Sequence, residues 1–117
     1  MSGRLTTHVL DVSRGKPAEG MRIQLWRLDG EEPRPIAEAV TNADGRLDAP
    51  LMEKERMEAG VYELVFYAGA YFSRLNPGLE PPFLEEIPVR FRIANPEEHY
   101  HVPLLAAPGG YSTYRGS

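Results

Sequence analysis

The chain has 117 residues, 42% of them hydrophobic and 26% charged, with a formal net charge of −4 and no cysteine. This is the length of one domain, residues 1–117, able to bury roughly 60–70% of the surface of its unfolded form. The balance excludes disordered and disulfide-scaffold classes as well as thiolate chemistry, and an acidic chain without a Lys/Arg cluster argues against a nucleic-acid partner.

Eleven prolines and eleven glycines break the chain into segments that are mostly too short for helices and rich in alternating apolar residues, an all-β rhythm. Residues 5–12 are predicted as a first strand, closed by Ser13-Arg14-Gly15-Lys16-Pro17. Met21, Ile23 and Leu25 alternate with Arg22, Gln24 and Trp26, which gives a second strand with one core face. Residues 36–41 form a third, ended by Asn42-Ala43-Asp44-Gly45, where glycine accepts positive φ without steric cost. A short fourth strand is expected over residues 46–51, then a charged surface connection over 52–59.

The strongest strand signal is residues 61–67. Tyr62, Leu64 and Phe66 lie on one side and Val61, Val65 and Tyr67 on the other, as in a central strand or one at a subunit contact. One or two helical turns are expected over 69–75 before Asn76-Pro77-Gly78, and Pro81-Pro82 bars regular structure beyond. Val89, Phe91 and Ile93 alternate with Arg90 and Arg92 across residues 87–93. Residues 99–105 and 111–114 complete about eight short strands, the count of a sandwich or barrel.

Only three histidines are present, His8, His99 and His101, and imidazole is the side chain best suited to move protons near neutral pH. His99 and His101 are two apart on a strand and share a face. If sheet pairing adds His8, three imidazoles would also suit zinc with a fourth position left for water. Ser112, Thr113 and Ser117 are poor nucleophile candidates, because no Gly-x-Ser-x-Gly elbow is present and the last residue of a chain holds no fixed line of attack. Arg46, directly after the Asp44-Gly45 turn, offers a rigid fork of donors for an oxygen-rich group. Asp11 and Asp44 are candidates to orient the imidazoles.

Two segments carry a family resemblance: His99-Tyr100-His101-Val102-Pro103-Leu104-Leu105, and the ending Gly109-Gly110-Tyr111-Ser112-Thr113-Tyr114-Arg115-Gly116-Ser117. With Thr6-Thr7-His8-Val9-Leu10-Asp11, they resemble the 5-hydroxyisourate hydrolase branch of the transthyretin-like family over residues 5–117. The resemblance implies an all-β, transthyretin-like sandwich of two four-stranded sheets with one short helix. It implies hydrolysis of the N1–C6 cyclic amide of 5-hydroxyisourate, without cofactor or metal. His8, Arg46 and His101 match the family's catalytic positions. Tyr114, Arg115, Gly116 and Ser117 match its substrate-binding ending, and Arg115 is also expected to pair with carboxylates.

The resemblance further implies a homotetramer, a dimer of dimers with its sites in the channel between them. The competing class is a carrier that holds a small ligand in the same channel without chemistry, from which the polar set His8, Arg46, His101 and Tyr-Arg-Gly-Ser distinguishes the chain. No stretch has the length and apolarity of a membrane span or a signal peptide, so the expected location is the cytoplasm and no membrane partner is foreseen.

Overall fold

The computed structural model describes residues 2–78 and 80–116. Among these residues, nine strands and one α-helix follow in chain order: β1 (Arg4–Asp11), β2 (Lys16–Pro17), β3 (Arg22–Arg27), β4 (Arg34–Val40), β5 (Met52–Glu53), β6 (Gly60–Phe66), α1 (Ala68–Leu75), β7 (Ile87–Ile93), β8 (His99–Ala107) and β9 (Gly110–Thr113). One sheet runs β4-β3-β6-β7, all antiparallel. The other runs β2-β1-β8-β9, with β5 also paired to β1. Its two outer additions, β2 and β5, are two residues each.

Alternation decides which side of each strand meets the other sheet. Leu5, Val9, Ile23, Leu25, Tyr62, Leu64, Phe66, Ile87, Ile93 and Leu104 are all essentially inaccessible and form one core between the sheets. A side-chain period of two then sends their neighbours outward. On β6 these are Val61, Glu63 and Val65, which are half-buried; the strand is therefore central, flanked by β3 and β7.

β1 and β8 run parallel and in continuous register from Arg4 opposite His99 to Asp11 opposite Ala106. The far edge of β1 is covered in three pieces. β5 pairs with Arg4 and Leu5, β2 with Leu10 and Asp11, and between them Gly45 and Arg46 close on the strand. The strand expected over residues 46–51 is therefore absent. Arg46 makes a single bridge to His8, and the pairing resumes only at Met52. Pro50, which has no amide proton to give a ladder, stands in the middle of this crossing. The charged connection after it holds β5 and one 3₁₀ turn, Lys54–Arg56.

Helix α1 begins one residue before the expected start and buries Tyr71 and Phe72. Tyr71 donates its hydroxyl proton to Asp11 Oδ2 at 2.9 Å. Asp11 is fully buried, and its other oxygen accepts from the Ser13 hydroxyl at 2.5 Å and from the Arg14 amide at 3.2 Å. Its carboxylate thus closes the turn after β1 and ties the helix to the strand; it does not orient an imidazole.

Candidate active site

The outward face of the β1–β8 pair carries most of the expected site residues. Arg4, Thr6, His8 and Leu10 point away from the core on β1, as do His99, His101 and Leu105 on β8. The parallel register sets Thr6 beside His101 and His8 beside Pro103. These side chains, together with Arg46, Tyr114 and Gly116, line an open cavity of about 500 Å³. Its charged and titratable lining is Arg4, Arg46 and the three histidines, with Tyr114 and with no carboxylate side chain among the described residues.

Arg46 reaches this face because of how its loop is built. The Asn42 side-chain oxygen accepts from the Asp44 amide at 2.9 Å and from the Arg46 amide at 3.1 Å, while the Asn42 amide donates to the Arg46 carbonyl at 2.8 Å. Gly45 takes φ +74° at the point of closest approach, where a Cβ would collide with the Val9 carbonyl. The Val9 amide donates to the Gly45 carbonyl at 2.8 Å. A residue with a side chain at position 45 would push the loop, and Arg46 with it, off the strand.

His101 is held from two sides. Its Nδ1 shares a hydrogen bond with Thr6 Oγ1 at 2.8 Å. The Gly116 amide donates to the His101 carbonyl at 2.7 Å, pairing the tail with β8 beyond β9. Gly116 lies so close that a Cβ there would stand 2.6 Å from His101 Cδ2.

Burial and then the Arg46 guanidinium hold the His8 imidazole below its ordinary pKa, partly offset by the Asp44 backbone carbonyl beside the ring. Burial, Arg46 and then His8 do the same to His101. Both shifts favour the neutral ring, the form in which an imidazole offers one lone pair and one N–H.

The structure brings His8, Arg46, His101, Tyr114 and Gly116 of the expected site residues together. Arg115 is turned away: its guanidinium pairs with Glu98 at 3.0 Å, donates to the His99 carbonyl at 3.1 Å and lies 4.3 Å above the centre of the Tyr100 ring. Tail anchoring and carboxylate pairing, rather than ligand contact, are what this position offers. Ser117 lies outside the described residues. His99 stands at the rim with its Nε2 2.9 Å from the Ser2 carbonyl oxygen. Among the described residues, no three His, Asp or Glu side chains are grouped to hold a metal ion. Sequence reading missed Thr6 and Asn42, whose roles depend on a strand register and a loop closure that spacing does not encode.

A family model described as HIUase/Transthyretin family matches residues 5–116. The chain belongs to that family. A 5-hydroxyisourate hydrolase of Halalkalibacterium halodurans is 58% identical over 121 residues, covering all of both chains. Among solved structures, the Klebsiella pneumoniae 5-hydroxyisourate hydrolase superposes with a TM-score of 0.83 at 40% identity over the full length of both chains. Transthyretin from Sparus aurata superposes with a TM-score of 0.87 at 28% identity, over 97% of this chain and 96% of that one. Family members of both kinds therefore share this sandwich, and backbone shape does not separate them. The side chains on the outward face of β1 and β8 have to do so.

Proposed function

We propose that this protein is a 5-hydroxyisourate hydrolase, opening the six-membered ring of its substrate at the N1–C6 amide in the breakdown of urate. The observation that carries the reading is the convergence of His8, Arg46 and His101 on one cavity wall, each from a different segment of chain. The full-length identity to a curated hydrolase supports the same substrate. A carrier for an apolar ligand has no use for two neutral imidazoles and a guanidinium at the centre of its site.

In this reading one imidazole takes a proton from water as its oxygen attacks C6, and the other polarises the substrate. Arg46 stabilises the negative charge that builds on the carbonyl oxygen, the N1–C6 bond breaks, and the proton passes to N1. The product is 2-oxo-4-hydroxy-4-carboxy-5-ureidoimidazoline. A positioned base contributes about 10²–10⁴-fold, and a fixed donor to the oxyanion about 10²–10³-fold. Tyr114 and Gly116 border the substrate, and Arg115 anchors the tail through Glu98.

The reading takes residues 1–117 as one catalytic domain that acts in the cytoplasm and assembles as a dimer of dimers. Exposed Tyr111, Tyr114 and Val12, and the edge strands β4, β7 and β9, offer the surface and the open ladders such an assembly covers. No helix among the described residues is long and apolar enough to cross a membrane.

The test is to generate 5-hydroxyisourate freshly from urate and follow its ultraviolet absorbance with and without the protein, in the presence and absence of a chelator. Acceleration well above the spontaneous decay, unchanged by the chelator, is expected. Decay at the spontaneous rate with an untagged, folded protein rejects the hydrolase in favour of the carrier.

A further inference from the structure

His8 and His101 stand in one cavity, and composition gives no reason for either to be the base. The hydrogen bonds around them differ. His101 Nδ1 meets the Thr6 hydroxyl at 2.8 Å, and that ring nitrogen is the only hydrogen-bond partner of the Thr6 side chain among the described residues. A threonine hydroxyl carries one proton, and a half-buried one satisfies it best by donating. A neutral imidazole whose Nδ1 accepts carries its own proton on Nε2, because the bond made by one ring nitrogen sets the state of the other.

We infer that Thr6 is a positioning residue that fixes His101 as the Nε2–H tautomer, making this imidazole a neutral donor to the oxyanion beside Arg46 and leaving His8 to take the proton from water. The inference rests on the hydrolase reading for its catalytic half and on the Thr6–His101 geometry alone for its tautomer.

The proton balance supports the division. A neutral Nε2–H imidazole that surrendered its proton would become an imidazolate, far too basic to form near neutrality. His101 therefore donates a hydrogen bond and keeps its proton. His8 collects the proton of the attacking water and returns it to N1 as the N1–C6 bond breaks, ending neutral. The side chain of Thr6 owes its place to the register that sets it opposite His101, and Gly116 lies on the Cδ2 side of the ring, where a Cβ would stand 2.6 Å from it. The other charged or titratable groups that face the ring across the cavity are His8 and Arg46, with Arg4, His99 and Tyr114 further along the lining.

The experiment is nitrogen-15 NMR of the His101 ring in the ligand-free protein above pH 7, for the wild type, Thr6→Val and Thr6→Ser, with steady-state turnover of 5-hydroxyisourate for each. The wild type and Thr6→Ser are expected to show an unprotonated Nδ1 and a protonated Nε2. Thr6→Val keeps the shape and strand preference of threonine but is expected to show mixed tautomers. Its kcat is expected to fall about 10–100-fold, up to the low end of what losing an oxyanion donor costs, with KM little changed, while Thr6→Ser keeps its kcat. A proton on Nδ1 in the wild type, or an unchanged tautomer and kcat in Thr6→Val, overturns the inference. If the wild type does not accelerate decay at all, it is the hydrolase reading that falls, and the NMR spectrum still decides the tautomer.

Discussion

Replacing Gly116 with alanine adds one methyl group at the place where the tail touches His101. An ideal Cβ at this position stands 2.6 Å from His101 Cδ2, 3.2 Å from Cγ and 3.3 Å from Cβ. To reach ordinary contact at about 3.4 Å the ring has to retreat by about 0.8 Å, or the tail has to lift by as much. The first response drives the Nδ1 edge against Thr6 Oγ1, which already stands at 2.8 Å, and forces that pair out of its geometry. The second breaks the 2.7 Å bond from the Gly116 amide to the His101 carbonyl and carries Tyr114 away from the cavity. A displacement of about 1 Å at a catalytic group costs up to about 10²-fold in rate, whereas the loss of one half-buried hydrogen bond costs about 1 kcal/mol of stability. Gly116→Ala is therefore expected to melt near the wild-type temperature while losing about 10–100-fold in kcat/KM. Absorbance decay of 5-hydroxyisourate and a thermal melt on the same preparation measure both. Turnover within about twofold of the wild type would refute the idea that the tail sets the His101 ring.

Arg46→Gln is expected to lose about 10²–10³ in kcat as the donor to the oxyanion disappears, and Arg46→Lys is expected not to restore it, since a lysine is a point charge without the planar fork. Both hold the fold, because Arg46 is exposed, which a circular dichroism melt checks. Tyr71→Phe takes a donor from buried Asp11; it is expected to lower unfolding free energy by about 1–3 kcal/mol in a denaturant titration and to leave kcat unchanged. The depressed His8 and His101 pKa values, caused first by burial and then by Arg46, make the unfolded chain bind more protons just below its histidine pKa of about 6.5. That part of the stability is complete above this pH and is lost as pH falls through the lower folded values. The melting temperature is expected to drop between about pH 7 and 5, less steeply in the double variant His8→Asn/His101→Asn.

The alternation of Tyr62, Leu64 and Phe66, or of Val89 and Ile93, announced the core strands in the sequence, because a side-chain period of two leaves little choice of face. Arg46 was legible as a candidate site residue through its family position and its place after the Asp44-Gly45 turn, yet the strand expected after it is absent. A loop residue held to β1 by one bridge and by Asn42 has no periodicity to read. Thr6 was invisible for a related reason, since its partner stands across a parallel pair 95 residues away in the chain. Asp11 was misread as an orienter of imidazoles because nothing in the spacing shows that Tyr71 returns to cover it. Arg115 belonged to a motif whose members proved to point in different directions, with Gly116 on His101 and the guanidinium on Glu98.

The account stands most directly on the rate of 5-hydroxyisourate decay with His101→Asn beside the wild type, at equal concentration and with matching thermal melts. It predicts strong acceleration by the wild type and a loss of about 10²-fold or more in the variant. Equal acceleration by a folded His101→Asn would contradict it, and would remove the β1–β8 face from the chemistry.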